Sequence, residues 1–149
     1  MTARSDFWFF HPWRVRYAEI DAQGVVFNAH YLAFFDTAIT EYLRALPYDY
    51  VLGGDEETGT DYHLVKATVE FKAPIRFDAE IETGVRAAEL GRSSVVYALA
   101  IFPKGGGNVL STGEVVWVNT DMKAHRSAPH TAAFLAAVTK REGARLVRR

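Results

Sequence analysis

The spacing of apolar positions changes several times along the chain, and each change marks an element. From Trp13 to Glu19, Trp13, Val15 and Tyr17 alternate with Arg14, Arg16 and Ala18, the two-residue period of a strand with one covered face. Asp21-Ala22-Gln23-Gly24 then reads as a turn. From His30 to Leu46 the period lengthens, with Leu32, Phe35, Ile39, Tyr42, Leu43 and Leu46 recurring at steps of three and four. That predicts one long amphipathic helix stopped by Pro47, with Phe34 and Ala38 widening its apolar face. Asn28 stands where a side-chain oxygen can cap the first helical amides.

Residues 48–62 form a polar, glycine-rich loop, after which alternation returns. His63–Ala73, Ala79–Glu89, Ser93–Phe102 and Val109–Asn119 predict four strands. The third of these is apolar almost throughout, as befits a strand covered on both faces. Lys104-Gly105-Gly106-Gly107-Asn108 fits a hairpin turn, and Thr131–Lys140 a short C-terminal helix. A strand, one long helix and then hairpin-joined strands give an α+β fold, an antiparallel sheet with the helix packed on one face. With no repeat or linker, residues 1–149 read as a single domain.

Composition narrows the chemistry. The chain is 49% apolar and 13% aromatic, enough for a sizeable core or an apolar pocket. With no cysteine, disulfides, thiolate zinc sites and a cysteine nucleophile are excluded. No 18-residue apolar run exists, and Phe7-Trp8-Phe9-Phe10 is cut off by His11-Pro12 without a cleavage site. No membrane partner and a cytoplasmic location are therefore expected. The aromatic cluster at 7–13 is expected to cover a pocket or a neighbouring subunit.

A net charge of −1 conceals a basic end, where Lys123, Arg126, Lys140, Arg141, Arg145, Arg148 and Arg149 face only Glu142. Such a run is either a solvated end or a patch for the phosphates of a nucleic acid or nucleotide-bearing small molecule. The aromatics lie far from it in sequence, so no nucleic-acid stacking platform is expected. The five histidines lack metal-ligand spacing, and no metal is expected.

Asp21 sits just past a strand, and seven residues later Asn28 opens the helix. That order can set a carboxylate, acting as general base or nucleophile toward an acyl carbon, near helix amides that hold an oxyanion. The same residues equally suit a plain turn and a plain cap.

Asp21, Gly24, Val26 and Tyr31 stand in a pattern D-x-x-G-x-V-x-x-x-x-Y. It resembles the signature of the 4-hydroxybenzoyl-CoA thioesterase-like family of hotdog-fold enzymes. The likeness continues in Phe34-Phe35-Asp36 and Thr40-Glu41-Tyr42-Leu43, and more weakly in 72–78 and Gly91-Arg92-Ser93-Ser94, over about residues 13–120. The resemblance implies a hotdog fold, a curved antiparallel sheet of about five strands around the long helix. It also implies an acyl-CoA thioesterase releasing free acid and CoA at a dimer interface, in a homodimer or homotetramer, without a cofactor.

By the same resemblance Asp21 is the catalytic carboxylate and the Asn28 peptide N–H polarises the thioester carbonyl. Many relatives carry histidine at this second position. Gly24, Tyr31 and Phe35 are expected to bind substrate, with Phe34 and Trp13 or Trp117 near the acyl group. Arg92 and Ser93 are expected at the CoA phosphates, with Lys72, Arg76 and the basic end as rivals. The alternative is a non-catalytic hotdog domain that binds acyl-CoA or a protein partner.

Overall fold

Leu46 leaves the helical region at ψ 153°, one residue before Pro47, as expected where a proline ring crowds the preceding backbone. The helix it ends, α1 (His30–Ala45), is the long one predicted from the spacing of apolar residues. The computed structural model describes residues 2–49 and 54–149, so residues 50–53 of the predicted loop lie outside the described residues. Around α1 run β1 (Phe9–Arg14), β2 (Thr60–Phe71), β3 (Glu80–Leu90), β4 (Ser94–Pro103) and β5 (Ser111–Asp121). Short pieces follow: β6 (Arg126–Ser127), α2 (Ala132–Glu142) and β7 (Val147–Arg148).

The sheet order is β1-β3-β4-β5-β2, antiparallel along that path, with β6 on β5 and β7 parallel to β3. Bulges at Leu64/Lys66 and Ala87/Glu89 increase the local bend and twist, and the sheet curls around α1. Phe35, Ala38, Ile39 and Tyr42 of the helix have no exposed surface. Gly113 permits this closeness, because a Cβ there would stand 2.2 Å from Phe35 Cε2. Among the described residues, no helix is long and apolar enough to cross a membrane.

The first strand is not where the alternation placed it. The predicted Trp13–Glu19 strand stops at Arg14, and Tyr17–Glu19 form a 3-10 turn. Glu19 is the cause: its carboxylate accepts from Arg16 N at 2.8 Å and folds the backbone back on itself, leaving Tyr17 on the surface.

The N-terminal aromatics pack on the chain's own sheet, while His11 and Trp13 line a small cavity. Trp8 and Phe9 rest against Tyr42 at 5.3 and 6.0 Å. Phe7 and Phe10 pack edge-on against Phe102 on the face turned away from α1. Arg4 stacks over Phe10 and pairs with Glu82. This strap explains why the distal half of β4 is buried on both faces.

The basic end is likewise tied down. Arg141 lies 3.8 Å over the Trp8 ring, Arg145 donates to Asp6 O, and Arg149 pairs with Glu89. These three arginines neither fray nor form a free cationic patch. Beside them Glu142, buried, accepts at one oxygen from Tyr42 Oη, Trp8 Nε1 and Ala87 N.

Candidate active site

A short hairpin over residues 19–27 presents Asp21. Phe27 N donates to Glu19 O and Asp21 N to Val25 O, each at 2.9 Å. At the tip Asp21 Oδ1 accepts from Gln23 N at 2.8 Å, and Gly24 turns the chain at φ +76°. Glycine adopts this left-handed region without a Cβ penalty, so the Gly24 of the motif shapes the turn. The returning leg is held by Val26 N to Ile75 O at 2.8 Å and by a bridge between Val25 and Arg76.

The helix follows directly. His30 N donates to Phe27 O and Tyr31 N to Asn28 O. Ala29 already has helical angles and no side chain caps the helix, so the expected Asn28 side-chain cap is absent. The backbone amides of Asn28 and Ala29 have no acceptor among the described residues. Unbonded amides at a helix start carry partial positive charge and attract anions.

Asp21 and Asn28 line one open cleft of about 360 Å³. Val25, Val26, Tyr31, Phe71, Ala73 and Pro74 supply apolar walls, and Lys72 is the one cation lining it among the described residues. Tyr31 meets Phe71 edge-on at 4.8 Å, and burial raises the Tyr31 phenol above its ordinary pKa. Lys72 Nζ sits 2.6 Å from Glu70 Oε2. A carboxylate lining an apolar cleft together with a residue whose amide is free can activate water or attack a carbonyl carbon.

The other expected substrate residues lie elsewhere. Phe35 is wholly buried against Gly113 and reaches no surface, since the helix seats it deep in the sheet. Phe34 and Trp13 line a separate cavity of about 70 Å³ behind the hairpin. Trp117 packs between Tyr62 and Tyr97. Arg92 and Ser93 sit in the β3–β4 turn, where Arg92 O accepts from His130 N and Ser93 O from Asn119 N. The turn is at the far end of the sheet, since Ser94 pairs with Val118 while Phe71 pairs with Ser111.

Sequence spacing missed Phe71 and Pro74 as cleft walls, and it missed buried Glu19. The Lys72–Asp78 likeness is the available signal for Pro74, and Phe71 immediately precedes it.

Comparison with known proteins completes the picture. Residues 23–110 match the family model described as the thioesterase superfamily. An acyl-CoA thioester hydrolase, YbgC of Escherichia coli, is 33% identical over 110 residues, covering 74% of this chain and 80% of that protein. The crystal structure of the PA5185 protein from Pseudomonas aeruginosa superposes with a TM-score of 0.82 at 31% identity, covering 92% of this chain and 93% of that one. Slr0204, a 1,4-dihydroxy-2-naphthoyl-CoA thioesterase from Synechocystis, shares the fold at a TM-score of 0.79 and 18% identity, covering 87% and 94%.

Proposed function

The chain belongs to the thioesterase superfamily and is a thioester hydrolase of the hotdog fold, and on that premise we propose that it hydrolyses an acyl-CoA using Asp21. The Asp21 carboxylate either takes a proton from water or attacks the thioester carbon itself. The Asn28 and Ala29 amides receive the negative charge that develops on the carbonyl oxygen. The CoA thiolate then leaves without a strong general acid, because thiols ionise near pH 8.5. The acyl group lies against Tyr31 and Phe71, which line the same slot.

The observation that supports this reading is the shared cleft: Asp21 on the hairpin and Asn28 just after it line the same slot, beside a helix start where the Asn28 and Ala29 amides have no acceptor among the described residues. Free-thiol release from acyl-CoAs of varied length and aromaticity tests it. Asp21→Asn preserves the Oδ1 acceptor for Gln23 N, so the turn should stand. Loss of about a hundredfold or more in kcat, typical of a removed general base, is expected. Wild-type turnover in Asp21→Asn sinks the reading.

A pair of chains is part of the proposal. The outer edge of β2 has no strand partner among the described residues, and it exposes Leu64 and Val65 at 46% and 59%. Antiparallel pairing of two such edges sets the Phe71 end of one β2 beside the Thr60 end of the other. Arg92 and Ser93, which lie toward the Thr60 end, would then serve the cleft of the second copy. Sedimentation at micromolar concentration should show a dimer or tetramer, and a monomer would remove this part.

A further inference from the structure

We infer that Glu19 is the positioning residue of the Asp21 cleft, an inference that rests on Asp21 being the catalytic carboxylate. Glu19 is only 4% exposed, and a buried carboxylate is costly unless donors surround it. Here they do. Oε1 accepts from Trp13 Nε1 at 3.1 Å and from Arg16 N at 2.8 Å, while Oε2 accepts from Arg16 Nη2 at 3.1 Å. Arg16 also lies 4.9 Å over the Trp13 ring. The side chain thereby fastens the base of the hairpin to β1.

The main chain of the same residue sets the other leg. Glu19 O accepts from Phe27 N, the residue immediately before Asn28. Two residues outward along the first leg stands Asp21. One residue thus fixes where the carboxylate and the receiving amides stand relative to each other. The clamp also reaches the helix face, because Trp13 tilts against Phe34 at 6.0 Å and Phe34 against Tyr31 at 6.3 Å. Glu19 itself lines the small cavity behind the hairpin, with His11, Phe34 and Thr83, and does not line the Asp21 cleft. It acts through Asp21 and Asn28, without touching the thioester.

Misplacement of reacting groups by about an ångström can cost about a hundredfold in rate. Steady-state kinetics of the intact protein on acetyl-CoA and benzoyl-CoA, with folding followed by circular dichroism, tests the assignment. Glu19→Ala should lower kcat tenfold to about a hundredfold while KM stays within about twofold. Glu19→Gln should recover most of kcat, since its amide oxygen still accepts from Arg16 N and Trp13 Nε1. A folded Glu19→Ala with wild-type kcat, however much its melting point falls, overturns the inference. Should Glu19→Ala fail to fold, Trp13→Phe removes one donor and keeps a ring: a lower kcat at unchanged KM supports the clamp, and an unchanged kcat overturns it. Asp21→Asn separates the two levels. Full activity there removes the premise, whereas an inactive Asp21→Asn beside an unimpaired Glu19→Ala removes Glu19 alone.

Discussion

The Tyr42 hydroxyl donates to Glu142 Oε1 at 2.5 Å, joining the last turn of α1 to the last residue of α2. The same oxygen accepts from Trp8 Nε1 and from Ala87 N, each at 3.2 Å. Ala87 borders a bulge, where one strand residue lacks its ladder partner. Three distant stretches of chain converge on a single buried oxygen of a fourth. Burial and the neighbouring carboxylate push the Tyr42 phenol far above its ordinary range, so it remains a donor at every working pH.

Tyr42→Phe therefore deprives a buried carboxylate of one donor while retaining the ring. Hydrogen bonds to charged groups contribute about 1.5–3 kcal/mol, and a loss of that size is expected. Urea denaturation should show a lower midpoint at unchanged slope. Thioester turnover at 25 °C should stay as in the wild type, because Tyr42 is remote from the residues lining the Asp21 cleft.

Gly24→Ala acts through the backbone alone. A Cβ there meets nothing within 4 Å, but φ is +76°. Forcing an L-residue into that region costs about 1–2 kcal/mol, which denaturation should reveal. The turn would relax by moving Asp21, so kcat should fall together with stability.

Gly113→Ala reverses the cause, since its Cβ would lie 2.2 Å from Phe35 Cε2. Overpacking of this kind costs about 1–3 kcal/mol or more. The double variant with Phe35→Leu should recover part of the loss in melting temperature. Additive effects would show that Phe35 is not what Gly113 accommodates.

Most of this architecture is legible in the chain because hydrophobic period reports burial directly. The helix at 30–46, the four later strands and the C-terminal helix all stand within about three residues of expectation. Misreadings arose where a side chain, and not the period, decided the backbone. Glu19 turned the end of the first expected strand into a 3-10 turn, and Ala29 entered the helix without an Asn28 cap. The burial of Phe35 depends on a glycine 78 positions away, a pairing no local pattern reveals. Nor could spacing show that Phe71, closing β2, would flank Asp21.

Stability should fall on acidification through histidine. His130 Nε2 is 2.8 Å from Ser94 O, which can only accept, so Nε2 carries the proton and Nδ1 accepts from Tyr62 Oη at 2.6 Å. Burial lowers the His130 pKa below 6.5 in the fold, and His11 shifts the same way. Below about pH 6.5 the unfolded chain then binds more protons than the folded one, and stability drops until the folded pKa is passed. Urea midpoints should decline from pH 7.5 to 5.5, and His130→Gln should flatten, without removing, that slope.

Glu19 adds a second step at lower pH. Burial alone would raise its carboxyl, but the bonds from Arg16 and Trp13 outweigh that and hold it below 4.5. A group with a depressed folded pKa stabilises above its unfolded value and loses that contribution as pH falls through the folded one. A further fall in the urea midpoint is expected below about pH 4.5, smaller in Glu19→Gln but not abolished, because Glu70, Glu82 and Asp121 are depressed too.

The two margins of the sheet are unlike: β2 offers twelve residues, whereas β1 offers six with Pro12, which has no N–H, in their midst. Short, proline-broken margins are poor templates for a further strand. In the proposed pair, joined through the long margins, only the poor ones would face outward. Growth would halt there, sparing the protein the endless stacking that threatens a sheet open on both sides.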